Sequence, residues 1–328
     1  MTTQCATSDI VSLTNSLCDA QALLTALELD LFTTLHSEPA DAEAIGRSLD
    51  LPGPGVADWL NLLVLNGLLE REGHRYHNAP PAEEHLVRGA PRFTGDLLLR
   101  RVFPALLGLT QSLRTGRSNG GVFMEALNGL DVVRQFANQM DYTTASLVPH
   151  LLDAYDGWAG HRSLLDVGGC RGSVMARILA AYPNLKGHVF DLPVMSPLFD
   201  EVAAEWALAD RATFHAGDFF ADPLPSADIV MMGHTLVDWS PEQRRLLIRK
   251  LAGSVNPGGS LLIYDRALGH ASPHVEHQNL KVSLSMLVLT GNSNYSLDEL
   301  RDHASAVGFT SIDPQPLGQY DTLVVCRT

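Results

Sequence analysis

A surplus of positive charge is missing from this chain: 37 acidic against 23 basic residues give 328 residues a formal net charge of −14. A chain so acidic is not expected to hold a phosphate backbone across a broad basic surface. It lacks an unbroken apolar run of about 18 residues, so no helical membrane span is expected. The N-terminus, MTTQCATSDIVSLTN, has neither the basic start nor the apolar core of a signal peptide. Cysteines are few. Cys5, Cys18, Cys170 and Cys326 are scattered without C-x-x-C spacing, which excludes a zinc ribbon or a disulfide frame and suits the reduced thiols of a cytoplasmic protein. No His, Asp or Glu cluster has metal-ligand spacing, and His270, His274 and His277 fall in what reads as a loop, so no metal is expected. What is present is 45% hydrophobic and 18% charged, the balance of a globular protein with a sizeable core. The length suggests two domains.

The most informative stretch is Leu164 to Pro193, LLDVGGCRGSVMARILAAYPNLKGHVFDLP. Leu164–Val167 reads as a strand and Gly168-Gly169-Cys170-Arg171-Gly172 as a turn. Ser173–Ala181 reads as a helix, with Val174, Ile178 and Ala181 at helical spacing. Val189-Phe190-Asp191 closes a second strand on an acid. Glycines let a backbone approach a ligand closely, and an acid at the end of the next strand can hold the two hydroxyls of a ribose. The pattern is G-G-x-x-G preceded by Asp166, not the dinucleotide G-x-G-x-x-G, and no basic residue follows Asp191 to take a 2′-phosphate. This favours S-adenosylmethionine (SAM), which has a ribose and a sulfonium but no pyrophosphate.

Ahead of this stretch, residues 10–36 carry apolar positions at helical spacing. Asp41–Leu49 and Val56–Asn66 read as two helices around a Pro/Gly turn, and 68–77 as a hairpin about Glu72-Gly73. Helix, turn, helix, hairpin is a winged-helix pattern. The second helix carries no Lys or Arg where a groove reader would need them, so a dimerisation platform, using Ile10–Leu35 as well, is expected rather than DNA binding. A helix over Asp131–Tyr155 offers Phe136, Met140, Leu147 and Leu151 to a pocket, with Tyr142 and His150 on the same helix.

After Asp191 strands and helices continue to alternate. Ala212–Phe220, Ala227–Leu236 and Ser260–Asp265 read as strands, Asn256–Gly259 as a tight turn, and Thr310–Pro314 with Thr322–Cys326 as a last pair. Such alternation implies a parallel sheet with helices on both faces and a ligand at the carboxyl ends of the strands. Gly168–Gly172, Asp191, Asp218-Phe219, His234–Trp239 and Asp265 all fall at those ends.

LLDVGGCRG, VFDLP, AGDFF, VDWSPEQ, NPGGSLLIYDRAL and MLVLTGNSNYSLDEL, in that order and behind NGLLEREGHRYH, resemble the small-molecule O-methyltransferases of the plant caffeate and bacterial polyketide-tailoring type, over nearly the full length. The resemblance implies a Rossmann-like α/β SAM methyltransferase sheet over 156–328, preceded by a helical winged-helix dimerisation and lid domain over 1–155. It also implies a homodimer. Gly168, Gly169 and Gly172 would lie along the cofactor, Asp191 and Leu192 at its ribose, Asp218 and Phe219 at its adenine, with Trp239 closing the site. Phe136, Met140, Tyr142, Met286 and Asn294 would contact the substrate.

The chain departs from the family at the segment that usually ends His-Asp-Trp, where the His is the general base. Here it reads Val237-Asp238-Trp239. Of the two acids that flank that base, one falls on Asp265 and the other on Asn294. The LVDW and YDRA segments resemble the branch containing anthracycline-tailoring methyltransferases and their hydroxylase relative, which also lacks the His. The expectation is therefore a cytoplasmic, dimeric methyltransferase of secondary metabolism acting on a hydroxylated aromatic or polyketide-like molecule. Proximity would be the main effect, with Asp265, His234 or His150 assisting. Carbon methylation, a SAM-bound hydroxylase- or cyclase-like reaction, and a metabolite-sensing DNA-binding protein stand as alternatives.

Overall fold

The structure, a computed structural model, describes residues 7–119, 129–269 and 272–328. Cys5 and His270 lie outside the described residues. Two compact units emerge, Met1–Phe103 and Pro104–Thr328.

In the first unit, α1 (Thr7–Glu28) and α2 (Leu31–Ser37) replace the single helical stretch expected over 10–36, because Asp30 turns left-handed at φ 54. Strand β1 (Ala40–Asp41) leads into α3 (Ala42–Ser48), whose first turn is capped by Asp41 accepting from the Ala44 N–H at 2.8 Å. Helix α4 (Val56–Leu65) follows, then the hairpin of β2 (Leu69–Glu72) and β3 (Arg75–Asn78), turned at Gly73 with φ 60. The three strands pair in the order β1-β3-β2. Leu31, Phe32, Ile45, Leu60, Leu63 and Leu69 form the buried core. Helices α5 (Pro80–His85) and α6 (Gly95–Leu97) and a π turn over Leu98–Val102 complete the unit. The 10–28 stretch is, by length and composition, apolar enough to cross a membrane, unlike the expectation above. Ser12, Asn15, Asp19 and Gln21 interrupt its apolar residues, which is why no unbroken run is visible in the sequence.

Helix α7 (Phe103–Leu107) starts one residue before the second unit, and α8 (Leu109–Thr115) follows. The helix expected over 131–155 is two: α9 (Leu130–Ala145) and α10 (Val148–Ala154), separated at Ser146-Leu147. Strand β4 (Ser163–Val167), α11 (Ser173–Ala181), β5 (Lys186–Asp191), α12 (Ser196–Glu205), β6 (Ala212–Ala216) and β7 (Ala227–Gly233) follow. Then come α13 (Pro241–Ala252), β8 (Val255–Asp265), α14 (Pro273–Thr290), α15 (Leu297–Ala306), β9 (Ser311–Leu317) and β10 (Asp321–Arg327). Because α9 packs on α11, and α10 on α11 and β9, these helices belong to the sheet unit, and the division falls well ahead of residue 155.

The seven strands run β6-β5-β4-β7-β8-β10-β9. The sheet is mixed rather than parallel: β10 is antiparallel to both β8 and β9. A short turn at residues 318–320 joins β9 to β10, and a hairpin cannot make the crossover that parallel pairing needs. Alternation along the strands feeds two cores. Leu164 of β4 enters one, with Met175, Ile178 and Val189. Leu165 and Val167 enter the other, with Leu247, Ile248 and Leu300. Asn256–Gly259 is an outward excursion within β8: Ala227 pairs with Val255, and the next pair is Ile229 with Ser260. His274 and His277 lie on α14, not on a loop. Among the described residues no group of three or more His, Cys, Asp or Glu could hold a metal.

Candidate active site

At the carboxyl ends of β4, β5 and β7 the second unit encloses a cavity of about 420 Å³. Its floor is the glycine turn. Gly168 and Gly172 sit at φ 71 and 83, and Cys170, between them, is also left-handed at φ 54. A Cβ on Gly169 would come 2.5 Å from Asp166 Cγ, and one on Gly168 would come 2.9 Å from Thr235 Oγ1. Only glycine leaves this backbone bare toward the cavity.

Asp191 ends β5 with both carboxylate oxygens fixed by backbone: Oδ2 accepts from the Cys170 N–H at 2.8 Å and Oδ1 from the Leu192 N–H at 2.7 Å. Burial pushes its pKa up to about 6, against the lowering effect of those two donors. Each oxygen keeps a lone pair for a further donor. Asp166, on the strand before the turn, is pushed up to about 8 by burial and then by the charge of Asp191. Beyond β6, Asp218 Oδ1 accepts from the Phe220 N–H at 2.8 Å and so rounds the loop that carries Phe219. Phe219 and Phe220 meet Trp239 edge-on at 5.7 and 4.6 Å. The Trp239 Nε1 is buried with no hydrogen-bond partner among the described residues. All eight residues expected at the cofactor, except Gly172, line the cavity. Gly172 instead starts α11, where a Cβ would lie 3.0 Å from Val189 Cγ2.

The wall formed by α9 is different. Phe136 and Met140 line the cavity from α9, joined by Asp141 and Thr144. Tyr142 lies on the outer face of α9, 60% exposed, because adjacent helical positions are about 100° apart. The interruption of the helix before α10 leaves His150 exposed and Leu147 and Leu151 in core packing, so none of the three reaches the cavity. Met286, on α14, is also off its wall. Asn294 is buried, donating through Nδ2 to the Arg266 carbonyl at 2.7 Å.

Three acidic or basic groups surround the exit of β7. His234 lines the cavity in a left-handed conformation, φ 50, with its Nε2 2.6 Å from Asp321 Oδ1. Burial lowers its pKa, but the bond to Asp321 and the charges of Asp321 and Asp265 outweigh that and raise it. Asp265 stands behind the wall rather than on it. Its Oδ1 accepts from the Arg266 N–H at 2.8 Å, Tyr295 OH lies 3.4 Å from Oδ2, and burial raises its pKa. The carboxyl that does line the cavity is Asp238, pushed up to about 7 by burial and by Asp265, with His234 acting the other way. In the sequence Asp238 is visible only as the middle residue of Val-Asp-Trp. Residue spacing gives no sign of the burial that sets its pKa, which is tertiary.

A glycine cradle beside a strand-end acid, and an orphaned indole donor in the same wall, fit a nucleoside cofactor. The O-methyltransferase domain matches residues 112–310 of this chain, and the O-methyltransferase dimerisation domain matches 11–88, which includes most of α1. The chain belongs to the O-methyltransferase family and is a SAM-dependent methyltransferase. It is 35% identical over 310 residues to the N,N-dimethyltransferase OxyT of Streptomyces rimosus, covering 92% of this chain and 90% of that protein. It is likewise 35% identical over 328 residues to the tetracenomycin polyketide synthesis 8-O-methyl transferase TcmO of Streptomyces glaucescens, covering 97% and 96%. Among solved structures, PigF with SAH superposes with a TM-score of 0.83 at 25% identity, covering 99% and 100% of the two chains.

Proposed function

We propose that this protein is a homodimeric methyltransferase of secondary metabolism that transfers the SAM methyl group to a hydroxyl of an aromatic, polyketide-like molecule. The similarity to TcmO supports the substrate class. The observation that carries the reading is Asp238: a carboxyl on the wall of the cavity, with a pKa of about 7 and no histidine beside it at 237.

SAM supplies an electrophilic methyl on its sulfonium. The chain's own residues hold and orient. The bare Gly168-Gly169 backbone and Asp191 would hold the nucleoside and its ribose, while Phe219 and Trp239 would shield the adenine side from water. Phe136 and Met140 confine the acceptor's ring. Asp238 would take the proton of the acceptor hydroxyl on a carboxylate oxygen as that hydroxyl is methylated. A phenol, with a pKa of about 10, profits from a positioned acceptor by about 10²–10⁴-fold. His234, bonded to Asp321, has its own pKa raised by that carboxylate and opposes the rise in the pKa of Asp238.

The equal identity to an N,N-dimethyltransferase makes an amine the second acceptor to test. Purified protein, methyl-labelled SAM and matched panels of phenols and arylamines decide this. Label is expected in methoxy products; label only in N-methyl products would overturn the O-acceptor reading, and no transfer to any acceptor would overturn both. The homodimer is supported by the dimerisation-domain match and by Ile10, Leu13 and Leu17, which leave one apolar face of α1 exposed.

A further inference from the structure

The glycine turn of this chain contains an arginine, Arg171, that does not line the cavity. Its guanidinium reaches instead to Asp141 of α9, which does. Nε bonds Asp141 Oδ2 at 2.9 Å, Nη2 bonds the same oxygen, and Ser173 Oγ donates to it at 2.9 Å. Three donors therefore saturate one oxygen of a mostly buried carboxylate. None of them falls on Oδ1.

This asymmetry gives the ion pair a direction. The positive end is behind the wall and the negative end is on it. A carboxylate held in this way is already ordered, and its other oxygen, which takes no hydrogen bond among the described residues, can accept one. That arrangement recognises a cation through a charge-assisted hydrogen bond. The side of the cavity matters too. Both groups that hold Asp141 come from the glycine turn and the first residue of α11, the part of the wall that faces the cofactor rather than the acceptor. We infer that Asp141 Oδ1 receives the α-ammonium group of the amino-acid moiety of SAM, with Arg171 and Ser173 as the residues that position it. The same chemistry could serve an amine on the acceptor; the assignment to the cofactor follows from the turn-side placement, and the test separates the two.

The inference rests on the reading of this cavity as the SAM site. S-adenosylhomocysteine and its desamino analogue, 5′-(3-carboxypropylthio)-5′-deoxyadenosine, are titrated calorimetrically into the wild-type protein and into Asp141→Asn, with no acceptor present. Hydrogen bonds to charged groups contribute about 1.5–3 kcal/mol, so the wild type should prefer S-adenosylhomocysteine by roughly 10–100-fold. Asp141→Asn should lose most of that preference while binding the desamino analogue nearly as the wild type does. Equal binding of the two nucleosides by the wild type overturns the inference without touching the SAM site, and then the amine of an acceptor remains the only cation for Asp141. An equal loss for both nucleosides in the variant also overturns it, since the carboxylate would then serve only to fasten α9. Binding of neither nucleoside by the wild type would remove the reading of the cavity itself.

Discussion

Asp238 shows how a single side chain acquires its chemistry from its surroundings. A carboxyl in water ionises far below neutrality and would be a weak base. Buried beside Asp265, it is raised to about 7, with His234 acting in the opposite direction. A base must be ionised to accept a proton, so kcat/KM should climb with pH through about 7 and level off above it. Asp238→Asn should lower kcat by about 10²–10⁴-fold and abolish that limb of the profile, while leaving S-adenosylhomocysteine bound. An unchanged profile in the variant would move the proton acceptor elsewhere. His234 is different in kind. Its raised pKa comes from a partner, Asp321, contributed by the last strand, and its ring is committed to that carboxylate.

At the level of the element, caps and faces decide. Helix α13 starts with a reciprocal capping box: the Gln243 N–H bonds Ser240 Oγ at 3.3 Å, and the Ser240 N–H bonds Gln243 Oε1 at 3.1 Å. The next residue on that helix, Arg244, holds the Trp239 carbonyl at 2.7 Å, so the cap also steadies the cavity wall. Ser240→Ala should cost about 1 kcal/mol in urea unfolding. The exposed apolar face of α1 makes a second prediction. Leu13→Glu, at a position 76% exposed, should shift sedimentation toward the monomer with little change in the melting of the fold. Helix α14 is invisible in the sequence for a clear reason. The residues it buries are Asn279, Ser283 and Val288, so its inward face is not an apolar stripe. Asn279 Nδ2 bonds the carbonyls of Ala267 and Tyr320, and Ser283 Oγ accepts from the Asn294 N–H. Polar bonds to loops, rather than apolar burial, define that face.

On the scale of the whole molecule, the second unit stores several carboxyls whose burial favours the protonated form. Asp166, Asp238 and Asp191 are raised from 3.8 to about 8, 7 and 6. Between those values and 3.8 the unfolded chain holds fewer protons than the folded one. Stability must therefore fall as pH rises from about 4 to about 8 through these three groups. Asp166→Asn should flatten that fall, and melting temperatures at about pH 5 and about pH 8 should lie closer together in the variant than in the wild type.

Local sequence determined the units that need only local physics. Glycines with positive φ, an acid on the next strand and alternating apolar residues made β4, the turn, α11 and β5 legible, together with the strands and caps that follow them. The order of motifs made SAM legible as well. Only the tertiary structure decided which side chains face the cavity, since a break at Ser146-Leu147 turns His150 away and helical phase sends Tyr142 outward. It also decided that Asp238 lines the wall while Asp265 stands behind it, and that β10 enters the sheet antiparallel. Burial and the approach of charges distant in sequence set these outcomes, and neither is encoded in the spacing of residues along the chain.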